Sequence, residues 1–175
     1  MKIMKKLIKL GKFKIESGVA RVSDPCYDKD TWCAGIVKVK KGEWKAQAIK
    51  NEEGRVVRLT AFHKDNEKLI NKLNAWKTTN IDVGVDSGQC GIYDDKYFKD
   101  DNVFAKRTRA DRKYKNIICE NEPWYSWNCD TTCAEPNAGT IPFGCVSSTG
   151  GDGSYICRTI SKGHRVVAVE IDFGI

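Results

Sequence analysis

The sequence predicts an α+β fold that is mostly β: a compact antiparallel sheet or sandwich with one main helix over about 64–76. Three observations lead there. Apolar residues alternate with polar ones in several segments separated by glycine-bearing turns, the signature of half-buried strands. Only Lys64–Trp76 shows a helical period, with Leu69, Ile70, Leu73 and Trp76 in one stripe. The chain has 175 residues, a length suited to one domain with its own core. Residues 1–175 therefore read as a single domain, with 95–140 as an irregular, loop-rich insertion.

In chain order, Phe13–Glu16 alternates as a strand, Ser17-Gly18 turns, and Val19–Val22 follows as the next strand. Ser23-Asp24-Pro25 ends it, because Pro25 lacks a donor and Asp24 caps turns. Cys26–Gly35 is a loop dense in aromatic, acidic and thiol groups, with Tyr27 and Trp32 expected to pack inward. Its Asp28-x-Asp30 pair lacks the glycine and closing Glu of a calcium loop. Ile36–Lys40 and Glu43–Lys50 read as strands around Lys41-Gly42. Asn51–Gly54 turns into Arg55–His63, with Trp44, Ala46 and Ala48 alternating on one strand and Val57, Leu59 and Ala61 on its partner. Further on, two short strands flank a tight Asp86-Ser87-Gly88 turn, in which both side chains can bond local amides. Lys96–Arg112 reads as a loop with a short helix. Pro123–Trp127 is an aromatic patch suited to core packing or to stacking on a base. Pro136–Gly139 links to a strand over Ile141–Cys145.

The stretch from Cys145 to Phe173 joins a Gly-rich loop to a hairpin. With a turn centred on Lys162-Gly163, Ile156 faces Val169, Arg158 faces Val167, Tyr155 faces Glu170, and Gly153 faces Asp172. Val167, Val169, Ile171 and Phe173 then form one apolar side. Glu170 and Asp172 point the other way, toward Gly150–Ser154, so that with Asp152 three carboxylates gather beside a loop rich in backbone N–H groups. That loop has the makings of an anion nest.

The net charge of +7 favours anionic partners. Lysines crowd the first fourteen residues, and a second basic run covers Lys106–Arg109 and Arg112–Lys115. Nucleic acid is the less favoured anion, since no zinc-finger or RNA-recognition signature accompanies these runs. No apolar run approaches the roughly 18 residues of a membrane span, and the basic start lacks the apolar core of a signal peptide. A cytoplasmic protein is the expectation, with its eight cysteines as free thiols rather than disulfides. Cys129, Cys133, Cys119 and Cys145 match no common zinc spacing, and only His63 and His164 add nitrogen ligands.

Gly84-Val85-Asp86-Ser87-Gly88 with Asp94, Gly151-Asp152-Gly153-Ser154-Tyr155 and Glu170-Ile171-Asp172-Phe173 occur in that order. Together they resemble a bacterial and phage domain family of unknown function with Val-Asp-(Ser/Ala)-Gly, Gly-Asp-Gly-Ser-Tyr and C-terminal Asp-Phe motifs. The resemblance spans Ser17 to Phe173 and implies a small, mostly β domain, but no activity.

These residues lead to the expectation of a non-catalytic binding protein for a small anionic ligand such as a nucleotide; in a phage it would sequester a host immune signal. Gly151, Asp152, Gly153, Ser154, Tyr155, Arg158, Asp86, Ser87 and Trp124 are the candidate ligand-binding residues. The alternative is a carboxylate-based or Mg²⁺-dependent hydrolase using Asp86, Asp152, Glu170 and Asp172, with Ser154 or a cysteine as a possible nucleophile. A third reading is a protein-binding inhibitor of a host nuclease or defence effector.

Overall fold

A computed structural model describes residues 4–110 and 122–174. Eleven strands form two antiparallel sheets. The six-stranded sheet runs β1 (Lys6–Ile15), β4 (Gly42–Lys50), β5 (Val56–His63), β11 (Arg165–Asp172), β10 (Gly153–Lys162), β6 (Lys77–Val85). The five-stranded sheet runs β3 (Gly35–Lys38), β2 (Val19–Ser23), β7 (Gln89–Asp94), β9 (Gly144–Ser148), β8 (Ala138–Ile141). One apolar core draws on both: Ile15, Trp44, Leu59, Val83, Val169 and Ile171 from the larger sheet, Val22, Cys90, Ile92 and Cys145 from the smaller. The mostly-β α+β fold follows from this sandwich.

Several turns that look like hairpins in sequence carry the chain from one sheet to the other. The strands flanking Ser17-Gly18, Lys41 and Asp86–Gly88 lie in different sheets. Side-chain alternation specifies a strand's two faces but not its neighbour. Where a real hairpin forms at β4–β5, Ala46 lies opposite Ala61 and Ala48 opposite Leu59, and the expected alternation brings all four to the core. Strand β7 is buried along its whole length, so it has apolar layers on both faces. Tyr93 points away from the sandwich core, into space where a Cβ on Gly91 would come within 2.3 Å of the ring.

The single long helix over 64–76 is replaced by two short 3₁₀ segments, Lys64–Asn71 and Leu73–Ala75. A kink at Asn66 and an extended Lys72 break the run. Asn66, Asn71 and Asn74 are residues of poor helix propensity, which weakens a regular helix. Leu69, Ile70 and Trp76 still cover an apolar patch of Phe62, Ile160, Val167 and Ala168, but Leu73 is 86 % exposed. Two α-helices among the described residues fall inside 95–140: α1 (Asp101–Ala110), within the segment expected to hold a short helix, and α2 (Pro123–Cys133). Pro123 occupies the first turn of α2, where its missing N–H costs nothing, and the Trp124 N–H donates to Asp101 of α1. Arg112–Lys115 and Cys119 lie outside the described residues.

The two helices close an aromatic cluster of Tyr93, Phe98, Phe104, Trp124 and Trp127 on the outer face of the smaller sheet. Trp124 is 2 % exposed, and its indole N–H donates to the Pro25 carbonyl at 2.9 Å. It is a core residue, not a stacking platform.

His63 is buried between β4 and the first 3₁₀ segment. Its Nδ1 accepts from the Asp65 N–H at 3.2 Å, while Nε2 donates to the Lys41 carbonyl at 3.1 Å. That pattern fits the neutral ring. Burial, then the charge of Lys40, pushes its pKa below the ordinary value, outweighing the nearby Asp65 carboxylate. The unfolded chain therefore takes up a proton that the folded one refuses. Stability from this site should be full above about pH 6.5 and fall as pH drops from there toward the lowered native pKa. Urea titrations at several pH values should show this loss, and His63→Gln should flatten it; an unchanged slope in the variant would assign the loss elsewhere.

The terminal hairpin adopts a different register from the expected one. The turn is Gly163-His164, because Lys162 pairs with Arg165, and a bulge follows between Ile160 and Ser161. Asp172 thus faces Ile156, not Gly153, and Glu170 faces Arg158, not Tyr155. Val169, Ile171 and Phe173 reach the sandwich core as expected, whereas the bulge turns Val167 to the opposite face.

Candidate functional site

The register shift divides the expected carboxylate cluster between two cavities that share no lining residue. In one, of about 330 Å³, Glu170 and Asp172 lie with Arg58, Arg158 and Trp76. Arg158 Nη1 stands 3.0 Å from Asp172 Oδ2 and 3.5 Å from Glu170 Oε1. Arg58 reaches both acids from β5, and the Thr60 hydroxyl donates to Glu170. Burial raises the pKa of Glu170 despite the two arginines. Burial also works against Asp172, but hydrogen bonds from Arg158 and the Gly174 N–H, with the arginine charges, hold it below the usual carboxylate range. Two cations matched by two anions make this an ion-pair network. Arg158 is thus committed to its own sheet and does not face the Gly-rich loop.

The other cavity, of about 380 Å³, is where the Val-Asp-Ser-Gly and Gly-Asp-Gly-Ser-Tyr motifs meet. The meeting is built from the β2–β3 loop. Asp24 is fully buried. Its Oδ2 accepts the N–H groups of Asp86 and Ser87 at 2.8 and 2.7 Å, and its Oδ1 accepts the Ser87 hydroxyl at 2.6 Å and the Cys26 N–H at 2.8 Å. The Asp86–Gly88 turn is therefore held by Asp24, and Ser87 is a support whose hydroxyl binds that carboxylate and not a local amide. The Tyr27 hydroxyl donates to Asp86 at 2.8 Å. The Gly84 N–H donates to the Cys33 carbonyl at 2.8 Å. A Cβ on Gly84 would lie 2.6 Å from Cys33 Sγ, so only glycine lets β6 approach this loop so closely.

Part of the Gly-rich loop's backbone is already engaged within the protein. Gly153 and Ser154 pair with Val85 and Gly84 in the sheet, and the Gly151 N–H donates to the Thr149 hydroxyl oxygen. Tyr155 turns inward against Phe173, and its hydroxyl donates to the Gly151 carbonyl at 2.6 Å. Of the expected residues, Asp86, Asp152, Gly153 and Ser154 line the cavity; Gly151, Ser87 and Tyr155 brace it. Tyr27, Trp32, Cys33 and Asp82 are the additions. Asp82 accepts the Ser154 hydroxyl proton. Trp32 does not pack inward: it is 83 % exposed at the cavity mouth. The Tyr27–Cys33 loop stands out in sequence, but nothing local shows that it lies across β6.

Among the described residues, Asp82, Asp86 and Asp152 have no ion-pair partner within 4.0 Å. No group of three His, Cys, Asp or Glu side chains among them is placed to hold a metal ion. The seven described cysteines are free thiols. Burial, followed by the hydrogen bond to Asp24, pushes Cys26 up to about 12, and burial pushes Cys145 to about 12 and Cys157 to about 11. Thiols so shifted stay protonated and are poor nucleophiles. No helix among the described residues is long and apolar enough to cross a membrane.

No protein-family model, curated protein or solved structure matches this chain.

Proposed function

We propose that this is a non-catalytic binding protein whose cavity between Trp32 and the Gly-rich loop receives an organic cation, an ammonium or guanidinium group of its ligand. The observation that carries this reading is the lining itself. Asp82, Asp86 and Asp152 stand without a cationic partner among the described residues, beside an exposed tryptophan, in a chain whose net charge is +7. A cation over an indole face gains about 0.5–2 kcal/mol, and charge-assisted hydrogen bonds to carboxylates add to it. The volume suits a small ligand or one long side chain. A phosphate entering the same space would meet three like charges, so the anionic ligand expected from the sequence is not assigned here.

Thermal shift and calorimetry with agmatine and spermidine test this, against Mg²⁺ as a control at matched ionic strength. A ligand at one hundred times its dissociation constant stabilises by about 2.7 kcal/mol. Agmatine or spermidine should stabilise the protein, and Trp32→Ala or Asp82→Asn/Asp152→Asn should weaken binding roughly tenfold. Equal affinity in wild type and both variants would overturn the assignment. Stabilisation by Mg²⁺ alone, abolished by the double variant, would replace the organic cation with a metal.

A further inference from the structure

We infer that a separate basic cavity at the edge of the sandwich binds a small phosphate-bearing molecule. It measures about 310 Å³ and lies where β1 and β8, the outermost strands of the two sheets, meet α1. Lys12, Lys14 and Arg107 line it, with Thr140, Phe143 and Trp127 among the other walls, and no carboxylate does. Its cations come from the two basic stretches of the sequence, ninety-odd residues apart, which the fold brings to one place. Lys14 and Arg107 make no ion pair among the described residues. Lys12 stands 3.8 Å from Glu43, but it is 72 % exposed, and such a surface pair is weak.

Phe143 supplies an independent observation. It sits at φ 62°, in the left-handed region, within the tight turn joining β8 to β9. Glycine or asparagine would serve such a turn without strain. A bulky residue there is strained, and strain of this kind clusters at ligand clamps. The surroundings hold Phe143 firmly. Its carbonyl accepts the Asp94 N–H at 2.8 Å, and its ring stacks on Tyr97 with centroids 3.8 Å apart. Arg107 lies over the ring, 5.8 Å from its centroid. The ring thus stands under an exposed guanidinium at the cavity wall, and a guanidinium suits the forked hydrogen bonding of phosphate. The bulge at Gly11, φ 116°, lets β1 approach Thr140, so the lysines and Arg107 line one space. With its ring already stacked, Phe143 lies under the arginine and does not receive a base. The selected feature of the ligand is its phosphate.

Calorimetry with pyrophosphate and with ADP at fixed ionic strength tests the site. Both should bind wild type, and Lys14→Gln/Arg107→Gln should weaken them roughly tenfold to a hundredfold. Phe143→Gly relaxes the backbone, so it should keep the fold by far-ultraviolet dichroism while weakening the same ligands. Trp32→Ala should leave phosphate binding unchanged, which separates this outcome from failure of the cation site. Equal affinity in wild type and Lys14→Gln/Arg107→Gln, or no binding of either ligand at millimolar concentration, would overturn the inference. Tight binding of a single-stranded oligonucleotide without binding of ADP would overturn it in favour of nucleic acid.

Discussion

Replacing Asp24 by alanine is expected to lower the unfolding free energy by about 3–5 kcal/mol, among the largest effects a single side chain can have here. The residue is fully buried, and four donors converge on its carboxylate. Truncation would leave the Asp86 and Ser87 N–H groups, the Ser87 hydroxyl and the Cys26 N–H without their acceptor, at about 1–3 kcal/mol for each that stays buried and unpaired. Relaxation and water entry recover part of that sum. Total stabilities of small domains run from about 5 to 15 kcal/mol, so the variant should be marginal at 37 °C. Asp24→Asn keeps the shape but turns a donor toward other donors, so it should fall between the two. Urea unfolding measures all three proteins. A loss below about 1 kcal/mol for the alanine variant would show that Asp24 does not hold the two loops together. The effect bears on function because the cavity's Asp86 and Tyr27 are positioned by these same loops.

The second large effect separates two tryptophans that the sequence does not distinguish. Trp124→Ala should cost about 3–5 kcal/mol, the range for deleting a buried aromatic. The indole touches Tyr93, Phe98 and Phe104 edge-on at 4.8–5.1 Å between ring centroids, and its removal orphans the Pro25 carbonyl. Trp32→Ala should shift stability by less than about 0.5 kcal/mol, as surface substitutions do, while weakening the cationic ligand. Chemical denaturation and calorimetry on the two variants give the contrast. Loss of ligand binding in Trp124→Ala with unchanged stability would restore a stacking role to that residue.

The β segments were readable because alternation depends on local residue order: Trp44, Ala46, Ala48, Leu59 and Ala61 all reach the core as their period requires. The helix over 64–76 does not form as one run because its apolar stripe matches the period while three asparagines and the extended Lys72 oppose it. Helix α2 was overlooked because Trp124, Tyr125 and Trp127 suggest a strand, although Pro123 marks a helix start. At the candidate site, Asp86, Asp152 and Ser154 were identified, but their neighbours Trp32 and Asp82 were not. The contact that joins them is long-range: Asp24 binds a turn more than sixty residues away.

By itself the sequence determined that this chain forms a two-faced β structure with a buried apolar layer, and which motifs carry unusual glycines and acids. Only the tertiary structure decided which charges meet. A different turn and one bulge moved Glu170 and Asp172 onto arginines, and crossings between sheets brought Trp32 to Asp82 and Lys14 to Arg107. The physical reason is that side-chain period is a local property, whereas strand register and sheet order are fixed by the global packing of faces and the geometry of turns. The sign of a cavity's charge is set by that packing.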